Sequence, residues 1–221
     1  MRAEPLLILC GGRSSRMGSP KPLLPWQNRT LIDTHIAAAR RPVWLAADGA
    51  RFTDSPRAEY LPDSLPDKQG ALSAIAPALQ RARSQGFNGV YVFSCDTLLN
   101  PERVAALLHT AAHTSAWREG VVMLAHGGRG LPLLAHWSAQ LAPALANDVA
   151  AGQRRVHGWL AQQTTAQVPL PAAEQPLANF NTPAEFAAAR AAWQALHPST
   201  FLIPNHAPTH PPERTRTQPN G

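Results

Sequence analysis

The run Leu6-Leu7-Ile8-Leu9-Cys10 passes directly into Gly11-Gly12-Arg13-Ser14-Ser15-Arg16-Met17-Gly18-Ser19-Pro20-Lys21, so an unbroken apolar segment is joined to a glycine-rich, cationic loop. An apolar run without alternation suits a strand covered on both faces, as strands are inside a parallel sheet. Gly11, Gly12 and Gly18 let a ligand come close to the backbone. Arg13, Arg16 and Lys21 add cationic donors where backbone N–H groups can also point, a combination that binds phosphate oxygens. The segment therefore calls for an α/β fold with an anion site beyond its first strand, and a triphosphate is the natural guest.

Short apolar runs and helical stretches alternate along the rest of the chain. A helix is expected over 31–39 and strands over 43–47 and 59–61. A turn-rich loop fills 62–70, and a helix covers 71–84 with Pro77 as a possible kink. A strand over 89–96 precedes a helix over 101–112, opened by Pro101 and capped by Asn100. Strands at 121–125 and 133–135 and helical runs at 140–151 and 156–162 follow. The last helix runs from Thr182 to Leu196, with Thr182 as N-cap, Pro183 in its first turn and Glu185 completing a capping box. This alternation predicts one α/β domain over residues 1–196, three-layered and doubly wound on a mainly parallel sheet. From 197 to 221 the composition turns to Pro, Thr, His, Asn and Arg, which predicts a disordered tail.

The chain carries 20 Lys and Arg against 14 Asp and Glu, a formal charge of +6 that suits an anionic partner. Nucleic acid fits poorly, because basic residues are never more than two in a row (Arg40-Arg41, Arg154-Arg155) and no aromatic ladder is interleaved with them. A small phosphorylated substrate explains the balance better. The first apolar run is too short for a signal core, and none reaches the roughly 18 residues of a membrane span. Two cysteines make no disulfide framework. A cytoplasmic protein without nucleic-acid or membrane partners is expected.

In a doubly wound sheet, ligands bind beyond the carboxyl ends of the strands, where strand order reverses. The loop after Leu9 falls there, and so does Asp96, at the end of Tyr91-Val92-Phe93-Ser94-Cys95. An Asp leaving a buried strand beside a phosphate loop either holds Mg²⁺ or caps a turn. Asp63 and Gly70 lie in a loop that either carries part of a site or only turns the chain. Asn179-Phe180-Asn181 offers two amides and a ring, or an ordinary helix entry. The nine histidines include no ligand-spaced pair lying wholly within an expected helix, which argues against zinc. Neither a Gly-x-Ser-x-Gly elbow nor the P-loop spacing occurs. The six scattered tryptophans are expected to pack the core.

Leu9 to Gly18 with Lys21 and Leu23-Leu24 resembles the signature of small nucleotidyltransferases with a glycosyltransferase-like, nucleotide-diphospho-sugar-transferase fold. Further segments narrow the likeness: Asp63-Ser64 with Gln69-Gly70-Ala71-Leu72-Ser73-Ala74-Ile75, Cys95-Asp96-Thr97, Gly152-Gln153-Arg154-Arg155-Val156 and Asn179-Phe180-Asn181-Thr182-Pro183 are similar to molybdenum cofactor guanylyltransferases. That resemblance spans about 6–196. It implies transfer of GMP from GTP to the terminal phosphate of molybdopterin, with release of pyrophosphate. It assigns Gly11, Gly12, Arg16 and Lys21 to the triphosphate, Leu9 to nucleotide binding, Asp63 and Gly70 to the nucleoside, and Asp96 to Mg²⁺. Arg154, Arg155, Asn179 and Asn181 fall to the second substrate. Lys21, Arg16 and Asp96 are the implied catalytic set. The implied partners are GTP, molybdopterin, molybdopterin-insertion proteins and molybdoenzyme chaperones, for a monomeric enzyme.

Several positions depart from the family pattern. Cys10 stands where the family commonly has Ala, and Ala46-Ala47-Asp48 where it has Asn-Ala-Asn; the loop from Met17 to Lys21 is one residue shorter than in many members. Leu24-Pro25-Trp26 is similar to the related cytidylyltransferases. GTP is the expected nucleotide and CTP its competitor, and a nucleotide-binding regulator without turnover is the alternative of a different class. Parallel pairing of the first strand with 91–95 would also set Cys10 beside Cys95.

Overall fold

The computed structural model describes residues 2–11, 16–62, 70–114 and 119–198. In chain order the strands are β1 (Leu6–Leu9), β2 (Pro25–Trp26), β3 (Arg29–Thr30), β4 (Val43–Ala46), β5 (Ala58–Leu61), β6 (Gly89–Ser94), β7 (Val121–His126), β8 (Arg129–Ser138) and β9 (Thr165–Pro169). The helices are α1 (Leu31–Ala38), α2 (Ala71–Ser84), α3 (Pro101–Ala112), α4 (Ala142–Ala150), α5 (Val156–Leu160) and α6 (Pro183–Leu196). The main sheet has the order β5-β4-β1-β6-β8-β7-β9. β8 is antiparallel to both its neighbours, and the other pairings are parallel.

The chain enters at the middle of the sheet, moves outward from β1 through β4 to β5, and recrosses by α2 to β6 on the other side of β1. Strand order therefore reverses between β1 and β6. The loop after Leu9 and Asp96 both leave the sheet at that point, in the crevice where open α/β sheets bind ligands.

Alternation along each strand divides the core into two layers. Leu6, Ile8, Val43, Leu45, Tyr91 and Phe93 face one layer, where they pack against Ile32 and Ile36 of α1, Val104 and Leu108 of α3, and Phe186 of α6. Leu7, Leu9, Trp44, Val90, Val92 and Trp137 face the other, against Leu72, Ile75 and Leu79 of α2, Leu145 of α4 and Trp159 of α5. Both faces of the sheet are thus covered, as the unbroken apolar runs require. Five tryptophans are at least nine-tenths buried; Trp117 lies outside the described residues.

Local chemistry sets the helix limits. Asn100 Oδ1 accepts from the N–H of Glu102 and Arg103 at 2.9 and 3.2 Å, with Pro101 in the first turn of α3. Pro77 is taken into α2 without ending it. Three features depart from the expectation. The strand expected at 133–135 extends over ten residues as β8. β9 lies where no strand is expected: its residues alternate between exposed and half-buried, so it carries no apolar run. β2 and β3 form a hairpin whose turn residues Gln27 and Asn28 both have positive φ, 48° and 62°, as a type I′ turn needs. Among the described residues no helix is long and apolar enough to cross a membrane. Beyond 198 the predicted tail lies outside the described residues.

Candidate active site

Lys21 opens a single 3-10 turn over Lys21–Leu23, and its Nζ reaches back to the sheet. It donates to Asp96 Oδ2 at 2.9 Å and to Asn181 Oδ1 at 3.1 Å, and stands 5.8 Å from the centre of the Phe180 ring. The Lys21 and Asp96 side chains are only 14% and 19% exposed, so this pair is partly shielded from screening by water. The Ser94 hydroxyl donates to the other Asp96 oxygen. Ser94 and Asp96 are two residues apart at the end of β6, which turns both to one face.

The segment before α6 is laid directly onto this strand end. Phe180 N–H donates to the Asp96 carbonyl at 3.0 Å, Leu98 N–H to the Leu177 carbonyl at 2.9 Å, and Thr97 Oγ1 to the same carbonyl at 2.7 Å. Phe180 is fully buried and packs 4.8 Å from Phe186. In extended backbone its neighbours then face the opposite way, and Asn181 Nδ2 donates to Asn179 Oδ1 at 2.9 Å. Thr182 Oγ1 accepts from Glu185 N–H at 3.2 Å, while Glu185 Oε2 accepts from Asn181 N–H at 2.6 Å. The capping box thus holds the backbone of a site residue as well as starting the helix.

A cavity of about 740 Å³ opens beside these groups, within the usual range for small-molecule sites. Ser94, Asp96, Asn179 and Asn181 line it together with Arg129, Arg155 and His157 and the apolar Leu131, Leu133 and Val156. Arg155 is the N-terminal neighbour of α5, and that short helix is anchored by Trp159, stacked on Trp137 at 5.6 Å and donating to Asp148 Oδ2 at 2.8 Å. The two adjacent arginines diverge. Arg154 Nη1 donates to the carbonyls of Val149 and Gln153 at 2.6 and 2.9 Å, at the end of α4, and Arg154 is not among the cavity's lining residues.

Gly70, which precedes α2, has φ +95°, and a Cβ there would stand 3.3 Å from the Arg154 carbonyl. A side chain at this position would be strained in conformation and crowded against the segment that leads to Arg155. Leu9 ends β1 with its side chain buried, Gly11 is exposed with open space around its Cα, and Arg16 is exposed. Gly12 and Asp63 lie outside the described residues.

Cys10 and Cys95 leave adjacent strands, and Cys95 N–H donates to the Leu9 carbonyl at 3.2 Å. Both are buried and free, and the hydrogen bond with Cys10, together with burial, raises the Cys95 thiol well above its ordinary pKa.

The MobA-like NTP transferase domain family matches residues 6–168. The chain belongs to this family. Among relatives, it is 34% identical over 200 residues to a molybdenum cofactor guanylyltransferase of Rhizobium meliloti, covering 85% of this chain and 90% of that one. It is 33% identical over 184 residues to the molybdenum cofactor guanylyltransferase of Pasteurella multocida, covering 79% and 93%. The solved structure of molybdopterin-guanine dinucleotide biosynthesis protein A from Archaeoglobus fulgidus shares the fold, with a TM-score of 0.69 at 18% identity over 86% of this chain and 99% of that one. The fold is shared also with the 2-C-methyl-D-erythritol 4-phosphate cytidylyltransferase of Thermus thermophilus, at TM-score 0.54 and 20% identity over 87% and 100%.

In this MobA-like transferase the expected residues Lys21, Asp96, Asn179, Asn181 and Arg155 converge at one cavity or its edge. Ser94, Arg129 and His157 join them without having been expected from the sequence. A signal existed for two of the three. Ser94 precedes Asp96 by the strand period, and Arg129 follows Gly127-Gly128, a turn signal between apolar runs.

Proposed function

We propose that this chain transfers GMP from GTP to the terminal phosphate of molybdopterin, forming a guanine dinucleotide and releasing pyrophosphate. The observation that carries the reading is the joining of Lys21, Asp96 and Asn181 beside a cavity that Arg129 and Arg155 also line. The curated relatives named above point to the same reaction. On this reading the loop after β1 takes the triphosphate, with Gly11, Gly12, Arg16 and Lys21, and Asp63 and Gly70 take the nucleoside. The cavity takes the second substrate: Arg155 and Arg129 meet its phosphate, and Asn179 and Asn181 orient it.

The attacking phosphate is already anionic at neutral pH, so the protein needs neither a covalent nucleophile nor a strong general base. Its work is alignment of attacker and leaving group and compensation of charge on the α-phosphate, by Lys21 and Arg16. Asp96 is the cavity's carboxylate, and its partial exposure suits Mg²⁺, a cation that takes one or two carboxylates and keeps several waters. When bound, Mg²⁺ would supply positive charge between phosphate oxygens. Lys21 and Ser94 hold the two Asp96 oxygens in an orientation open to the cavity. Two free, buried thiols suit a reducing cytoplasm.

The test is transfer of label from α-labelled GTP or α-labelled CTP onto molybdopterin. Label from GTP is expected; label from CTP alone would reassign the base, and binding of nucleotide without transfer would make the chain a regulator. Full Mg²⁺-dependent activity in Asp96→Ala would remove the assignment of Asp96.

A further inference from the structure

A second constellation stands at the opposite end of the central strands. Glu4 precedes β1, His136 lies in β8 opposite Tyr91 of β6, and His113 is the residue after α3. Glu4 is separated from Cys10 by the length of β1, about 20 Å at 3.3 Å per residue. The group therefore has no contact with the site around Asp96.

Its three donor atoms converge on one another. Glu4 Oε2 is 3.2 Å from His113 Nε2 and 3.1 Å from His136 Nε2, and all three donors lie within 4.8 Å of one another. Two imidazoles thus share a single carboxylate oxygen, while the other, Oε1, is buried without a hydrogen-bond partner among the described residues. Three donor atoms this close, one of them on a carboxylate whose second oxygen has no partner among the described residues, form a pocket that a cation can enter.

The tautomer of His113 sharpens the case. Its Nδ1 is 2.9 Å from the His109 carbonyl, which can only accept, so Nδ1 carries the proton. A neutral ring then turns the Nε2 lone pair toward the Glu4 oxygen. Two lone pairs at this distance need a cation between them, either a second ring proton or a metal. Histidine ligands are commonly oriented by such a bond from the other ring nitrogen to a backbone carbonyl. Tetrahedral Zn²⁺ with bonds of 2.0–2.2 Å has ligand-to-ligand edges of about 3.3–3.6 Å, slightly longer than the two separations from Glu4 Oε2.

The surroundings suit a bound ion. Glu4 and His136 are 8% and 3% exposed. Gly89 makes room for the ring, since a Cβ there would stand 2.4 Å from His136 Nε2. A cavity of about 430 Å³ reaches Glu4 and His113 and gives a path for the ion and for a water as fourth ligand. The nearby Arg41 is neutralised by Glu102, with two bonds of 2.9 Å.

We propose that Glu4, His113 and His136 form a site for a divalent transition metal, Zn²⁺ by its donor chemistry, which ties the residue ahead of β1 to the end of α3 and to β8. Two imidazoles and a carboxylate suit Zn²⁺, whereas Mg²⁺ seeks oxygen donors in an octahedron. The site is independent of which nucleotide the chain uses.

The test takes tag-free full-length protein, stripped with chelator and dialysed against Zn²⁺, and measures bound metal by mass spectrometry. One ion per chain is expected, retained in Asp96→Asn and weakened at least ~100-fold in His113→Gln, because loss of an outer partner alone costs 10–100-fold. Cobalt substitution should give the visible absorption of a tetrahedral centre in the wild type and not in His113→Gln. His113 is partly exposed and lies just beyond a helix end, so its variant is expected to fold; circular dichroism checks this, and Zn²⁺ should raise the melting temperature of the wild type alone. No uptake by the wild type, or uptake undiminished in folded His113→Gln, would overturn the proposal.

Discussion

His35 offers a sharp test of the packing between α1 and the sheet. It is 3% exposed, stands edge-on to Phe93 at 4.9 Å, and its Nε2 is buried without a hydrogen-bond partner among the described residues. Burial drives its pKa from 6.5 to about 4, against the opposing hydrogen bond with the Thr97 backbone. The ring is therefore neutral in the fold and protonates more readily in the unfolded chain. Between about pH 6.5 and about pH 4 the unfolded state binds the extra proton, so stability falls as pH falls through this window. At about 1.4 kcal/mol for each tenfold change in proton affinity, the whole effect is about 3 kcal/mol, and about 2.4 kcal/mol of it is lost between about pH 7 and pH 4.5. His35→Leu keeps the apolar packing and removes the titration. At neutral pH it also strands the Thr97 backbone group, which costs about 1–3 kcal/mol. The decisive quantity is the difference in slope. Urea unfolding monitored by tryptophan fluorescence across this range should show the wild type losing about 2–3 kcal/mol more than the variant. Carboxylates such as Glu4 and Glu102, also displaced downward, titrate in both proteins and cancel in the comparison. Parallel loss of stability in the two proteins would refute the neutral, buried ring.

Further outcomes follow from the site. Arg155→Ala should raise KM for the second substrate with little change in unfolding free energy, whereas Arg154→Ala should cost about 1.5–3 kcal/mol of stability by removing charged bonds to two carbonyls; steady-state kinetics with urea unfolding separates them. Lys21→Met should lower kcat about 10²–10³-fold at saturating nucleotide, the scale of losing one donor to developing charge. Thr182→Ala should cost about 1 kcal/mol, and kcat should fall as well, because the cap holds Asn181 in place. Thiol titration of native protein should find neither Cys10 nor Cys95 reactive, and denaturation should release both.

How much was legible in the sequence depended on how local each signal was. The strand ahead of Gly11, the limits of α2, the Asn100 and Thr182 caps and the position of Asp96 just past a strand end all rest on neighbouring residues, and they could be read directly. β9 could not, because Thr165–Pro169 is half exposed and pairs with β7 from across a long crossover. β2 and β3 are two residues each and escape any periodicity. Arg154 and Arg155 are the same residue type in adjacent positions, and only the turn into α5 sends one to a helix end and the other to the cavity. The histidine group is invisible to helix spacing because residues 4, 113 and 136 meet only through the sheet register.

The bond between Lys21 and Asn181 joins residues 160 positions apart. During synthesis at about 5–20 residues per second, Lys21 would leave the ribosome roughly 10–30 s before Asn181. For that interval a nascent chain would carry the phosphate loop, and later Asp96, without the amides that complete the site. On the proposed reading, competence for transfer would arrive in one step, when the final helix docks, so translation itself would keep a chain that already carries its nucleotide loop from engaging the second substrate.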